Sequence, residues 1–176
     1  MKQFIYLALW FLGAKFFGRR RPLQTVLFVT DKCNLRCLHC CICTDTAPIT
    51  KSTKAIRDEL EYSYSLGSRF VDFEGGEPFL WSDGAGDINT LVRMAKEIGF
   101  FSCTITTNAQ IPFAGSEADS MWVSLDGIGK YHDDIRGQGT FDKLCKNIAA
   151  SGHKALSANM VINNRNFPCV RKQLSS

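Results

Sequence analysis

The sequence predicts an α/β fold in which about five parallel strands alternate with helices, as part of a β/α barrel, behind an apolar helix at the amino terminus. Short runs rich in β-branched residues recur along residues 22–176, amphipathic stretches ending at glycine separate them, and polar residues follow the strand-like runs. Such alternation implies parallel strands joined by right-handed crossovers. In a barrel of this kind the carboxyl ends of the strands carry the chemistry.

The predicted elements follow one another without an internal repeat or an evident linker, so residues 22–176 form one predicted domain. Ser52 or Thr53 caps the start of its first helix and Gly67 ends that helix. Predicted strands cover residues 24–30, 69–73, 100–106, 121–125 and 155–162, and predicted helices cover residues 53–66, 87–98 and 140–151. The polar residues after the strands are Asp31, Glu77, Asn108, Asp126 and Asn163.

The positive charge of the chain is concentrated at its amino terminus. Of the 21 Lys and Arg residues, five lie within residues 1–21, which contain no Asp or Glu, and the other 16 are balanced by 17 acidic residues. Because binding to a phosphate backbone requires clustered cations, the domain is not expected to bind nucleic acid.

Residues 1–21 are a separate predicted segment, an apolar helix that leads into the basic residues 19–21. As a helix, residues 4–17 would extend about 21 Å, which is too short for a hydrocarbon core of about 30 Å. We expect this helix to lie on a membrane surface with its arginines on anionic head groups. The alternatives are packing on the barrel or a partner, and a cleaved secretory signal, which the arginines at the expected cleavage site disfavour.

Five of the eight cysteines crowd into residues 33–43. Neighbours as close as Cys40 and Cys41 suit metal ligation better than a disulfide network, which favours a reducing compartment. Cys33, Cys37 and Cys40 have C-x3-C-x2-C spacing, so that three thiolates on one loop can each bind one iron of a cubane and leave the fourth iron open.

A closed zinc site is the alternative for this loop. His39, Cys41 or Cys43 could supply the fourth ligand. Paired C-x2-C knuckles, which are usual in zinc modules, are not evident in the sequence, so His39 is expected to pack over the cluster.

The cysteine spacing directly after a first strand resembles the radical SAM superfamily, with His39 where that family usually has an aromatic residue. The resemblance implies a partial (β/α)6 radical SAM-type barrel. It also implies a [4Fe–4S] cluster bound by Cys33, Cys37 and Cys40, with S-adenosylmethionine (SAM) chelating the open iron. Cys41 and Cys43 fall outside the pattern, and the sequence assigns them no role.

Further motifs occur in the order that the family has. They are Gly75-Gly76-Glu77-Pro78, which resembles GGEP, Thr106-Thr107-Asn108-Ala109, which resembles TTNG with alanine for glycine, Ser124-Leu125-Asp126-Gly127, and His132-Asp133-Asp134-Ile135-Arg136-Gly137, which is similar to the SPASM-type branch. By this resemblance the SAM-binding residues are Gly75, Gly76, Glu77, Asn108, Ser124, Asp126, Arg136 and Asn163. Arg136 is the expected partner of the SAM carboxylate, and a helix-capping turn is the alternative role for Asp126.

The resemblance covers about residues 24–166 and implies an enzyme that cleaves SAM reductively and removes a hydrogen atom from its substrate. The SPASM-like motifs favour a peptide or protein substrate, whereas a membrane-bound amino terminus favours a lipid. An electron donor such as flavodoxin or ferredoxin is expected, in the cytoplasm or at the cytoplasmic face of a membrane. A non-catalytic, membrane-associated iron–sulfur or zinc-binding module is one alternative function. An inactive truncated remnant is another, because the family core has six β/α units and only five strands are predicted.

Overall fold

The computed structural model describes residues 2–42, 47–84 and 86–169. Its core is one five-stranded parallel sheet with strand order β1-β2-β3-β4-β5, which confirms the predicted α/β class. The strands are β1 (Gln24–Thr30), β2 (Phe70–Gly75), β3 (Ser102–Thr107), β4 (Ser120–Ser124) and β5 (Leu156–Asn159). The helices are α1 (Lys2–Phe17), α2 (Thr53–Leu66), α3 (Ile88–Ile98), α4 (Lys130–Arg136) and α5 (Thr140–Ser151), with a 3-10 turn at Pro78–Leu80.

The ends of α2 show how local sequence sets these boundaries. The Ser52 hydroxyl accepts a hydrogen bond from the Ala55 amide at 3.2 Å, and Gly67 ends the helix with φ of +114°, a backbone conformation that favours glycine. The bounds of β1, α2 and α5 are those predicted. The structure adds α4, whose seven residues are too few for a clear apolar period, and it ends β5 at Asn159 rather than at residue 162.

The two faces of the sheet differ sharply in composition. One face carries alternate apolar side chains that pack against α2, α3 and α5, and these buried residues are Leu27, Val29, Val71, Phe73, Cys103, Ile105, Met121 and Val123. On the other face the strand register sets Val26, Asp72, Thr104 and Ser120 side by side. We call this second face the open face, because Val26 on β1 and Trp122 on β4 are both more than 40% exposed on it.

Helix α1 packs at the amino-terminal edge of the sheet. The Tyr6 hydroxyl donates to the Gly67 carbonyl, and the Tyr6 ring meets Phe101, just before β3, edge-on at 5.5 Å between centroids. No helix within the described residues is long and apolar enough to cross a membrane.

Candidate active site

The loops at the carboxyl ends of the strands enclose a cavity of about 300 Å³. Of the residues predicted for the site, its lining includes Cys33, Cys37, Cys40, Gly75, Gly76, Asn108, Ser124 and Arg136. A more open depression of about 410 Å³ lies around Asp119 and His153, before β4 and β5, and its lining includes none of the predicted site residues. The motifs that are spread over about 100 residues of sequence therefore meet at one edge of the sheet, as expected for parallel β/α units.

The loop after β1, which carries the three cysteines, is fixed from two sides by backbone hydrogen bonds. The Glu77 amide donates to the Lys32 carbonyl at 2.9 Å, and the Leu38 amide donates to the Ile135 carbonyl of α4, also at 2.9 Å. The position of the cysteine loop thus depends on the loop after β2 and on α4.

Each of the three predicted ligand sulfurs lies near an N–H donor. The contacts are 3.5 Å from the Leu35 amide to Cys33 Sγ, 3.4 Å from the Ile42 amide to Cys40 Sγ and 3.8 Å from Arg136 Nη1 to Cys37 Sγ. Hydrogen bonds of this kind favour the thiolate form, and in iron–sulfur proteins they help to set the reduction potential.

Burial raises the pKa of Cys33 and of Cys37, and the neighbouring thiolates raise both further, while Arg136 lowers the pKa of Cys37. A bound cationic centre lowers the pKa of its cysteine ligands instead, because it stabilises the thiolate form. No three of the described His, Cys, Asp and Glu side chains are arranged to hold a single metal ion. A cubane instead takes each thiolate on a different iron, so this donor set fits a cluster bound by three cysteines.

The two glycines at the end of β2, Gly75 and Gly76, pack on the backbone of the cysteine loop. A Cβ atom on Gly76 would lie 2.6 Å from the Asp31 carbonyl oxygen, and one on Gly75, where φ is +139°, would overlap the Thr30 carbonyl oxygen. The sequence predicts these glycines for close approach of a ligand. The contact that the structure shows is with the cysteine loop, which any larger side chain would displace.

Glu77 joins the loop after β2 to the loop after β3. Its carboxylate is fully buried and accepts from the Thr107 hydroxyl at 2.9 Å, the Asn108 amide at 2.8 Å and the Phe79 amide at 3.1 Å. Burial raises the pKa of Glu77, while these three donors oppose that rise. Glu77 is absent from the cavity lining, so its place in the structure is that of a brace between two loops.

Asn108 extends from the loop after β3 toward the cysteines. Its side-chain nitrogen Nδ2 donates to Asn34 Oδ1 at 2.8 Å and lies 3.7 Å from Cys33 Sγ. The next residue, Ala109, has a positive φ of 56°, the conformation for which the family pattern has glycine. Alanine adopts this turn at a cost of about 1–2 kcal/mol, and the Asn147 side chain holds the Ala109 carbonyl at 2.8 Å.

Asp126 is a fully buried carboxylate that connects three separate segments. It accepts from Arg136 Nε at 2.6 Å and from the Val161 amide at 3.1 Å, and its own amide donates to His132 Nδ1 at 3.2 Å. Helix α4 begins after Gly129 without a side-chain cap, so the alternative of a helix-capping turn is not what the structure shows.

Arg136 is held between Asp126 and the cysteine loop. One guanidinium nitrogen binds the carboxylate and another points at Cys37 Sγ, and only 9% of the side chain is exposed. His39 lies on the same carboxylate, with Nε2 3.7 Å from Asp126 Oδ2. The role of Arg136 toward the SAM carboxylate stays a prediction.

Asn163 does not line the cavity. Its side-chain amide donates to the Val161 carbonyl at 3.3 Å, within the turn after β5, and Asn159 and Val161 supply this wall of the cavity instead. Its role in cofactor binding stays a prediction. Cys41 lies in the cavity lining, whereas Cys43 is outside the described residues.

Sequence reasoning missed a pair of carboxylates on the open face of β2. Asp72 is buried and accepts from the Thr106 hydroxyl at 3.1 Å, and Glu74, two residues on, lines the cavity together with Thr106. Burial, followed by the charge of Glu74, raises the pKa of Asp72 to about 6. Side chains alternate between the two faces of a strand, so residues i and i+2 share a face. This alternation is the sequence signal that could have placed Asp72 and Glu74 together.

A family model matches residues 27–164, and its description is the radical SAM superfamily. Among curated proteins, the chain is similar to mycofactocin maturase MftC of Mycobacterium tuberculosis, with 28% identity over 156 residues, which cover 85% of this chain and 40% of that protein. The chain therefore spans about two fifths of the length of such relatives.

Solved structures share the fold. Streptococcus suis SuiB has a TM-score of 0.67 at 24% identity, covering 88% of this chain and 37% of that one. Methylornithine synthase PylB has a TM-score of 0.68 at 16% identity, covering 97% of this chain and 55% of that one. The predicted partial barrel thus agrees with the architecture of both proteins.

Proposed function

This chain belongs to the radical SAM superfamily, and we propose that it cleaves SAM reductively and removes a hydrogen atom from a peptide or protein substrate. The cofactors of such an enzyme are a [4Fe–4S] cluster and SAM. The observation that carries the proposal is the set of three thiols, each near an N–H donor, at a cavity lined by the loops after β2, β3 and β4.

Cys33, Cys37 and Cys40 would hold the cluster through three of its irons. The chemistry supplied by the bound cluster and SAM is reductive cleavage at the sulfonium, which provides the oxidant for hydrogen-atom removal. Gly75 and Gly76 expose backbone groups at the cavity wall, where carbonyls can accept from the ammonium group of SAM.

The remaining predicted residues serve binding and position. Ser124 and Asn108 offer polar groups at the cavity wall, and Arg136 offers a guanidinium that can engage a carboxylate. Glu77 and Asp126 act through the loops and through Arg136 that they hold. These roles are proposals for the complete enzyme with its cofactors.

A peptide or protein is the substrate class that the comparisons support best. SuiB is known with its precursor peptide SuiA bound, and MftC is named a maturase. On the open face Glu74 and Thr106 line the cavity, and Thr106 donates to Asp72 beside it; these carboxylates and this hydroxyl suit the backbone amides of a peptide.

The electron donor is proposed to be a flavodoxin or a ferredoxin, and the location is proposed to be cytoplasmic, with α1 on the cytoplasmic face of a membrane. Residues 1–21 support the membrane location, since they combine apolar side chains with five basic groups and no acidic one.

Anaerobic reconstitution of the full chain with iron and sulfide tests the proposal. We expect bound iron and sulfide with broad absorption at about 400 nm, and formation of 5′-deoxyadenosine from SAM on addition of dithionite. Cys37→Ser should lose the absorption and the product, whereas Cys145→Ser, which removes an exposed thiol on α5, should keep both. Bound zinc without sulfide, or equal iron content in both variants, would contradict the assignment.

A further inference from the structure

Helix α1 has an exposed face that is almost wholly apolar. Its outward side chains include Phe4, Ile5, Leu9, Phe11, Leu12, Phe16 and Phe17, which are between 45% and 74% exposed. A contiguous apolar surface of this kind on a globular protein marks an interaction site. The opposite face of the helix, which includes Tyr6, Trp10 and Gly13, packs toward the domain.

The helix is held firmly at the amino-terminal edge of the sheet. Tyr6 bonds the Gly67 carbonyl, and the Arg69 guanidinium lies 5.5 Å from the centre of the Tyr6 ring. Arg69 and Phe101 directly precede β2 and β3. Since the cysteine loop lies at the carboxyl ends of these strands, the exposed face of α1 and the cavity are separated by the length of a strand, about 20 Å for six residues.

Basic side chains border the apolar face on the segment that returns from α1. The chain reverses at Gly18, the Arg19 amide donates to the Gly13 carbonyl at 3.1 Å, and Trp10 Nε1 donates to the Arg21 carbonyl at 2.9 Å. A groove of about 240 Å³ lies between helix and returning segment, and it is lined by Tyr6, Leu9, Trp10, Gly13, Arg19 and Arg21. The groove therefore combines two arginine side chains with apolar and aromatic walls.

We propose that this groove binds the phosphate of an anionic phospholipid while the exposed face of α1 enters the bilayer, so that the amino-terminal edge of the sheet rests on the membrane and the catalytic cavity faces water. The inference rests on the proposed membrane location and deepens it. It also selects the substrate class, because a soluble peptide can reach a cavity on the far edge, whereas a lipid held in the bilayer cannot.

Charge decides between a lipid and a second copy of the chain as the occupant of this face. Residues 1–21 carry five basic groups and no acidic one, so pairing two copies through α1 would bring like charges together, which disfavours association. An anionic bilayer instead attracts these charges, and each Arg near its surface strengthens binding about fivefold. Lys15 lies 5.5 Å from the Phe11 ring centre, as expected for a cation at the border of an apolar face.

Vesicle sedimentation with the full chain tests membrane binding and its headgroup preference. The probes are vesicles of phosphatidylcholine alone and of phosphatidylcholine with phosphatidylglycerol at three parts to one. Arg19→Gln with Arg21→Gln should weaken binding to the anionic vesicles about twenty-five-fold. Phe16→Ser with Phe17→Ser should weaken binding to both vesicle types at least tenfold, whereas Lys143→Gln with Lys146→Gln on α5 should leave binding unchanged.

Quenching of tryptophan fluorescence by brominated lipid tests the orientation. A variant that keeps only Trp10 should be quenched, and a variant that keeps only Trp122, on the open face, should not; circular dichroism checks that both fold. Quenching of Trp122 but not Trp10 would overturn the orientation.

Equal binding to both vesicle types would overturn the proposal that the groove binds the lipid phosphate, and would leave the membrane location standing. Lipid-free self-association that Phe16→Ser with Phe17→Ser abolishes, without vesicle binding, would assign the face to a second copy and overturn the proposal. SAM cleavage is measured separately in detergent-free buffer, so a failure of catalysis leaves the vesicle-binding and quenching results unaffected.

Discussion

Replacing Asp72 with Asn should remove a pH-dependent cost that the open face imposes on folding. Asp72 lies on β2 with its side chain buried, and its pKa of about 6 results from burial first and from the charge of Glu74 second. The unfolded chain has a pKa near 3.8 for this group. Between these two values the folded state binds more protons than the unfolded state, so stability falls as the pH rises through that window.

The size of the effect follows from the two pKa values. The difference between 3.8 and about 6 corresponds to about 3 kcal/mol, and solvent screening at the open face lowers this to about 1–2 kcal/mol. Asn keeps the shape of the side chain and an oxygen that can accept from Thr106, but it carries no charge. Asp72→Asn should therefore be more stable than the parent chain by about 1–2 kcal/mol above pH 7 and nearly equal to it near pH 4.

Urea unfolding of the reduced chain, followed by far-ultraviolet circular dichroism from about pH 4 to about pH 8, measures this difference. Asp58→Asn, on the exposed side of α2, is the matched control and should show no gain at high pH. Glu74→Gln should give part of the gain, because it removes the second cause of the raised pKa of Asp72. A gain that is equal at low and high pH, or no gain at all, would refute the reasoning.

Three further substitutions address the loops of the site. Gly76→Ala should reduce iron incorporation strongly on reconstitution, because a Cβ there would lie 2.6 Å from the Asp31 carbonyl oxygen. Gly84→Ala is the control, since Gly84 has a positive φ but open space around it. It should lower the free energy of unfolding by only about 1 kcal/mol, as measured by thermal unfolding. Glu77→Gln should lower the free energy of unfolding in urea by about 1–3 kcal/mol, because the side-chain NH2 group replaces one of the two oxygens and faces a backbone N–H donor, that of Phe79 or that of Asn108; an effect no larger than that of Glu59→Gln on the surface would count against the brace. Asp126→Asn should lower the free energy of unfolding by about 3 kcal/mol, because it leaves the Arg136 guanidinium buried without its carboxylate partner. Asp134 is exposed on α4, so Asp134→Asn should have a free energy of unfolding within about 0.5 kcal/mol of that of the parent chain.

Much of the fold could be predicted because its signals are local. The cap at Ser52 and the left-handed Gly67 are short-range features, and the bounds of α2 follow from them. The end of β5 could not be predicted in this way. After Asn159 the Val161 amide leaves the sheet and donates to Asp126, 35 residues earlier in sequence, so a tertiary contact overrides the strand tendency of the following residues.

The candidate site shows the same division between local and long-range information. The motifs identified Cys33, Gly76 and Asn108 because their residue types and order are specific. They did not reveal that Asp126 binds Arg136, since nothing in local sequence pairs the two. They also missed Asp72, whose neighbours on the open face become visible only once the strand register is known.

Two of the buried carboxylates, those of Glu77 and Asp126, make the cysteine loop part of the domain's cooperative structure. Glu77 fixes the loops on the β2 side, and Asp126 fixes Arg136 beside Cys37 on the α4 side. A buried charge is tolerated only when its partners are in place, since an unpaired one costs several kcal/mol. Displacing the cysteine loop would loosen α4 and the Arg136 contact at once, so the geometry of the three thiols is coupled to the stability of the strand ends that hold them.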